Sequence, residues 1–538
     1  MSKSFKALFT TLKQTANQFD DVANDKKLKA LQLIHKTPLP ALKEWTEYQN
    51  LLLFLSAHPI NEAFLTLANK EKDRFAKYIK KASNADKTKL QNSGLPYTTT
   101  LSSFSYDLLV ALTEKQDVKM VYDYSSEEEI MLNDVLQFTL PDMEKLLASA
   151  GNVQEDLLSE LQVKEEQFLP FLLDQFSKLN HEPYIKDYFW NKLSVYVQLN
   201  SEQEKFSKLY NQLSFDKPYY HTDLLRSFDH VELINRELPY FMNLSVAQQD
   251  ELIDVMRSAL IFLERETDPT TYIERRSIRF YQLERGISVA VYTMTPNRQL
   301  PLETYAGYTL FKNGYPAAYG GGWLHGKKSL FGINIFEQFR GGESGYLFMQ
   351  LLRVYREAFG VDYFEVEPYQ YGLDNPEGIE SGAFWFYYRY GFRPLDKTLE
   401  KIAADEYEKI KSKKGYRTPA KTLIRFTESN IALKLGTKVP EGIHAQREKI
   451  TNYIARNYKG NRTEALLDSM AWFKDKSNFN RLCNKYEESV LKDISLLAHT
   501  LNIQSDAKFQ LLKEMIVSKP FDMFTFQELL VDFYEQEN

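Results

Sequence analysis

An α+β, multidomain fold is what the sequence predicts: a central mixed β-sheet with helices on both faces, set between an all-α N-terminal region and a helical C-terminal region. Three observations predict it. From the start to about residue 270, apolar residues recur at helical spacing and glycine is nearly absent. After Asp268-Pro269 come runs rich in Ile, Val, Tyr and Phe with frequent glycine, as in 277–291 and 305–310, which read as strands. Beyond about Pro440 the helical period returns through Ile450, Tyr453 and Ile454, and later through Leu491, Ile494, Leu497 and Leu501. The expected division is 1–270, with room for two subdomains, then 271–437 and 438–538.

Composition bounds the function. A chain of 538 residues has the length of roughly three or four domains at ~150 residues each. Its formal charge of −6 supplies no global basic field for a nucleic-acid backbone, so no nucleic-acid partner is expected. The single cysteine, Cys483, cannot form an internal disulfide, and the eight histidines show no metal-ligand spacing, so no metal is expected and a reducing, cytoplasmic compartment fits. The longest apolar stretch, Leu51 to Leu55, is far short of the ~20 residues that cross a bilayer, so no membrane association is expected.

Taken in order, Met1 to Lys13 reads as an ordinary helix start without the shape of a leader sequence. Ser125 and Ser126 before Glu128 and Glu129 offer a capping box ahead of Ile130, Leu132 and Val135, and Pro141 suits the first turn of the next helix. A second box, Ser245 to Gln248, introduces Leu252, Val255, Met256, Ala259, Leu260 and Leu263 as one stripe of a long amphipathic helix. No fixed-period repeat is present.

The stretch 315–394 carries the chemistry. Tyr315 to Leu324, a Gly326-Lys327-Lys328 turn, and Ser329 to Phe336 read as a hairpin. The second strand runs into Arg340-Gly341-Gly342-Glu343-Ser344-Gly345, and a helix follows with Leu347, Phe348, Leu351, Leu352, Tyr355 and Phe359 on one side. Such a turn places backbone N–H groups at the positive end of a helix dipole, which suits a diphosphate; glycine also serves tight turns that bind nothing. Gly360 reads as a C-cap and 362–367 as a strand, giving a βαβ unit. An aromatic helix from Ala383 then ends at Gly391.

Ala383, Tyr387, Arg389, Gly391 and Phe392 keep the order Ala, three residues, Tyr, one residue, Lys or Arg, one residue, Gly-Phe. Upstream, Ile333 and Ile335 precede a loop in which Arg340 and Gly345 hold the outer positions of an Arg/Gln-x-x-Gly-x-Gly/Ala motif. In both, the stretch from about 275 to 437 resembles the acyl-CoA N-acyltransferase (GNAT) superfamily. The resemblance implies an acyl-CoA co-substrate lying along Ile335 and Phe336, with its pyrophosphate on Arg340, Gly341, Gly342, Glu343, Ser344 and Gly345. It implies direct attack of an amine on the thioester, with Tyr387 as the acid near sulfur. Glu365 and Glu367 share a face of one strand and are candidates for the base, although a solvated strand face or a salt bridge to Arg353 or Arg356 is the favoured use.

Two departures stand out. Glu343 occupies the motif's central glycine, where a carboxylate opposes a diphosphate; replacing it by glycine is then expected to tighten CoA binding. Residues 368–381 form an insertion where acceptor loops of the family lie. Two rival readings follow: a non-catalytic scaffold on a degenerate version of this fold, its helical regions meeting protein partners, and a transferase using aminoacyl-tRNA. Of the remaining features, Gly320 to Gly322 read as crowded backbone, His325 as a solvated turn residue and Lys409 to Lys414 as a solvated helix end.

Overall fold

The computed structural model describes residues 4–39, 42–115, 117–126, 129–149, 154–179 and 183–536, and the chain divides into two compact units. The first comprises 1–224, 245–272 and 312–316; the second comprises 225–244, 273–311 and 317–538. No helix among the described residues is long and apolar enough to cross a membrane.

The first unit is mostly helical, but the all-α expectation for 1–270 is corrected by a three-stranded sheet. Strands β1 (Thr100–Ser102), β2 (Lys119–Ser125) and β3 (Val195–Asn200) pair antiparallel in the order β1-β3-β2. Val195, Val197 and Leu199 are buried while their neighbours alternate outward, a period of two too short to stand out among flanking helical residues. They join Leu108, Leu136, Phe176 and Trp190 in one core. The box expected at Ser125 and Ser126 is not used: Ser125 ends β2, and Glu128 lies outside the described residues, as do Met1 to Lys3. The helix begins instead at Leu132, where the Asp134 carboxylate accepts the Met131 N–H at 2.8 Å. The Ser245 box does cap Val246–Phe262, with Gln248 and Ser245 exchanging side-chain hydrogen bonds at 3.0 and 3.3 Å.

The second unit holds, apart from the 312–316 connection, strands β4 (Arg279–Gln282), β5 (Ile287–Thr293), β6 (Thr304–Lys312), β7 (Tyr315–His325), β8 (Lys328–Ile335), β9 (Tyr363–Val366), β10 (Arg393–Pro394) and β11 (Ile431–Lys434). Their order is β10-β11-β9-β8-β7-β6-β5-β4. β7 and β8 make the expected hairpin, with His325 opposite Lys328 and Gly326 at φ +55° in the turn. β8 and β9 run parallel, joined through the helix Ser344–Phe359, which ends on left-handed Gly360 at φ +68°. Gly320, Gly321 and Gly322 are crowded backbone: a Cβ at each would strike Tyr308, Tyr305 and Ser329 with Tyr355.

The C-terminal helices belong to this same unit. Their core gathers Phe473, Ile494, Leu512, Phe526 and Leu530, and Gln527 Nε2–H donates to Gly326 O and Phe359 O at 2.6 and 3.1 Å. His325 corrects the solvated reading: it is 2 % exposed, with Nδ1 2.9 Å from Leu302 O and Nε2 3.0 Å from the Tyr534 hydroxyl. A carbonyl only accepts, so Nδ1 carries the proton and Tyr534 donates to Nε2. The turn is polar in sequence and Lys327 and Lys328 stay half-exposed, while Leu302 O and Tyr534 of the last helix close over His325.

Lys519 is a second buried titratable group here. Its ammonium donates to Glu303 O at 2.8 Å, and burial lowers its pKa from 10.5 to about 7 against the opposing pull of Asp493 and Glu303. The unfolded chain therefore holds the extra proton between these values, and the stability this group contributes is present above 10.5 and lost as pH falls through about 7. Asp493, raised by burial from 3.8 to about 6, has the opposite sign and has finished titrating by pH 7, as its contribution is present below 3.8 and lost as pH rises through about 6. Wild-type protein should gain about 2 kcal/mol between roughly pH 7 and 9, and Lys519→Met should flatten that slope in urea unfolding at the two pH values.

Candidate functional site

β8 and β9 pair only at Lys328 with Tyr363, Ser329 with Phe364 and Leu330 with Glu365. β8 continues against β7 as far as Ile335, while β9 ends at Val366 and turns into Pro368–Tyr371. The two parallel strands therefore part after Leu330 and leave one edge of β8 facing a wedge. Backbone groups on such an edge need partners. Here side chains supply them: Ile333 N–H donates to Gln370 Oε1 at 3.3 Å, and Arg340 Nε–H donates to Ile335 O at 3.0 Å. Phe336 N–H is used on the other side, by Ala317 O at 2.9 Å.

Tyr387 reaches the same wedge from the helix Ala383–Arg389, its hydroxyl donating to Gln370 Oε1 at 3.3 Å. The ring is 4 % exposed and packed by Phe348, Phe386 and Phe392 with centroids 5.5 to 5.7 Å away. Burial pushes its phenol well above the usual tyrosine range, so the group stays protonated. Aromatic packing and a polar tip aimed at the strand edge are both present in one side chain.

The loop expected to hold a diphosphate turns through Gly341 and Gly342 at φ +77° and +53°, and Ser344 N–H and Oγ–H both donate to Gly341 O, at 3.0 and 2.9 Å. Arg340 also pairs with Glu377. Glu343 is turned inward and is 4 % exposed: its carboxylate lies 3.1 Å from Arg285 and accepts the Leu225 N–H at 3.0 Å. The charge that was expected to oppose a diphosphate is compensated inside the protein.

Gly345 is held by a neighbour, because a Cβ there would lie 1.6 Å from the Tyr390 hydroxyl oxygen. Tyr390 cannot yield freely, stacked as it is near Phe228 and edge-on against Phe386. Gly345→Ala should destabilise by about 1–3 kcal/mol, the usual cost of overpacking. Adding Tyr390→Leu should recover most of that loss in thermal melts.

The candidate carboxylates are not brought together. Glu365 is buried and doubly engaged, 2.6 Å from Lys328 Nζ and accepting Asn430 Nδ2–H at 2.5 Å, while Arg353 pairs with Glu284 instead. Glu367 lies past the end of β9 and is exposed. The sequence reading missed Gln370, Glu377 and Arg285. Gln370 and Glu377 fall in the 368–381 insertion, which follows no motif, and Arg285 precedes its partner by 58 residues. Compared with family models, curated proteins and solved structures, the chain matches none.

Proposed function

We propose that the chain is an N-acyltransferase that moves an acyl group, acetyl foremost, from acyl-CoA to an amine by direct attack on the thioester. The observation that carries this reading is the parting of β8 from β9 beside the glycine turn that heads Ser344–Phe359, with the Tyr387 hydroxyl aimed at the opened edge. An extended chain bearing amides can add to such an edge. A diphosphate suits the N–H groups at the head of the 344–359 helix, with Arg340 beside them. The reacting sulfur would then lie within reach of Tyr387. Of the two carboxylates, Glu367 is the better candidate to take the amine proton, because Glu365 is committed to Lys328. The helical regions would present or select the acceptor.

The scaffold reading draws on a different observation: side chains of the protein itself already occupy the wedge. Calorimetric titration with CoA and with acetyl-CoA separates the two. One-site binding of both ligands is the expected result. No heat at millimolar ligand would abandon the acyl-CoA donor.

A further inference from the structure

We infer that Gln370 is an internal stand-in for the ligand, a gate whose carboxamide occupies the edge of β8 in the empty site and which an incoming amide must displace. This rests on the acyl-CoA reading above and adds to it the residue that controls entry. One atom, Gln370 Oε1, accepts both the Ile333 N–H and the Tyr387 hydroxyl, each at 3.3 Å. It therefore joins the unpaired strand edge to the candidate acid. A glutamine side chain ends in the same acceptor that any ligand amide carries, so the exchange replaces one carbonyl oxygen by another.

The geometry suits release. Both bonds are longer than the usual ~2.9 Å, and Gln370 is half-exposed, so water can take over its carboxamide. The backbone beneath it is fixed by the next residue: Tyr371 is 1 % exposed, and its hydroxyl donates to Ser429 O. The side chain can swing out by rotamer change while the turn stays in place. A second latch comes from the same segment, where Glu377 holds the Arg340 side chain that covers Ile335 O. The 368–381 insertion thus supplies both closures of the donor cleft. Thioesters lacking an amide at this position would leave the Ile333 N–H unpaired and be poor ligands.

The test pairs Gln370→Ala with Gln370→Glu in the full chain, reading hydrogen exchange of the peptide spanning 331–336 and calorimetric Kd for CoA. Gln370→Ala should speed exchange there at least about threefold and tighten CoA roughly fivefold, the worth of one net hydrogen bond. Gln370→Glu keeps the acceptor and adds charge, so it should retain protection and weaken CoA. Unchanged exchange in the alanine variant overturns the gate, and weaker CoA binding by that variant makes Gln370 a ligand contact instead. If no protein of the three binds CoA while the alanine variant still exchanges faster, the donor reading falls and the exchange with it, leaving Gln370 as a cap on the strand.

Discussion

Glu343→Gly is expected to lower the melting temperature by about 6–10 °C and to leave CoA affinity no tighter than wild type. The motif alone leads to the opposite expectation, since a glycine there would restore the family pattern and remove a negative charge. Where the carboxylate points decides the matter. It is buried against Arg285 at 3.1 Å and takes the Leu225 N–H at 3.0 Å, so removing it takes a charge partner from the guanidinium and the acceptor from a backbone donor. Breaking one side of such a pair costs about 3 kcal/mol or more, because the partner's desolvation is no longer compensated. Arg285→Met in the same chain should return part of the loss, as the cation that lost this partner goes too. Melting followed by circular dichroism reads stability, and calorimetry reads affinity. Tighter CoA binding with unchanged stability would place the carboxylate in the ligand cleft and reject the inward orientation.

Legibility followed the range over which the forces act. The β7–β8 hairpin, the helix Ser344–Phe359 with its glycine cap and the Ser245 box all depend on residues within a few positions of each other, and all were readable. Strand β3 was hidden because its alternation lasts six residues inside helical surroundings. His325 was misread for a tertiary reason: a Gly-Lys-Lys turn is polar by every local measure, and burial comes from Tyr534, 209 residues away.

The site divides the same way. Spacing located Tyr387 and the 340–345 turn, because a strand, a glycine turn and a helix leave a contiguous trace. The wedge itself left no trace, since it is a pairing that stops after Leu330, and pairing is a property of two segments together. Alternation put Glu365 and Glu367 on one strand face, yet β9 ends at Val366 and Lys328, placed by the parallel register, claims the first of them. Partners set by register were beyond reach of period and motif alike.

Tyr387→Phe should reduce turnover by roughly 30- to 150-fold, about 2–3 kcal/mol, with little change in KM or in melting temperature. The phenylalanine keeps the ring that Phe348, Phe386 and Phe392 enclose, so packing survives. What goes is the hydroxyl. With its pKa raised by burial, that hydroxyl is a poorer acid than the ~8.5 of an alkyl thiol, so complete proton transfer to a departing thiolate runs uphill. Under the proposed acyltransferase reading its contribution is then a hydrogen bond that strengthens as charge develops on sulfur, in a setting from which water is largely excluded. One consequence separates this from a plain proton donor. The loss on substitution should match a bond to a charged group and stay well short of ~10⁴-fold. The wild-type rate should also show no descending limb from Tyr387 up to pH 9, because a raised pKa keeps the phenol protonated throughout that range. Release of CoA thiol from acetyl-CoA across a panel of amines, followed at several pH values, measures both. A variant as fast as wild type would leave Tyr387 a packing residue and move the search for the sulfur's partner to another part of the wedge.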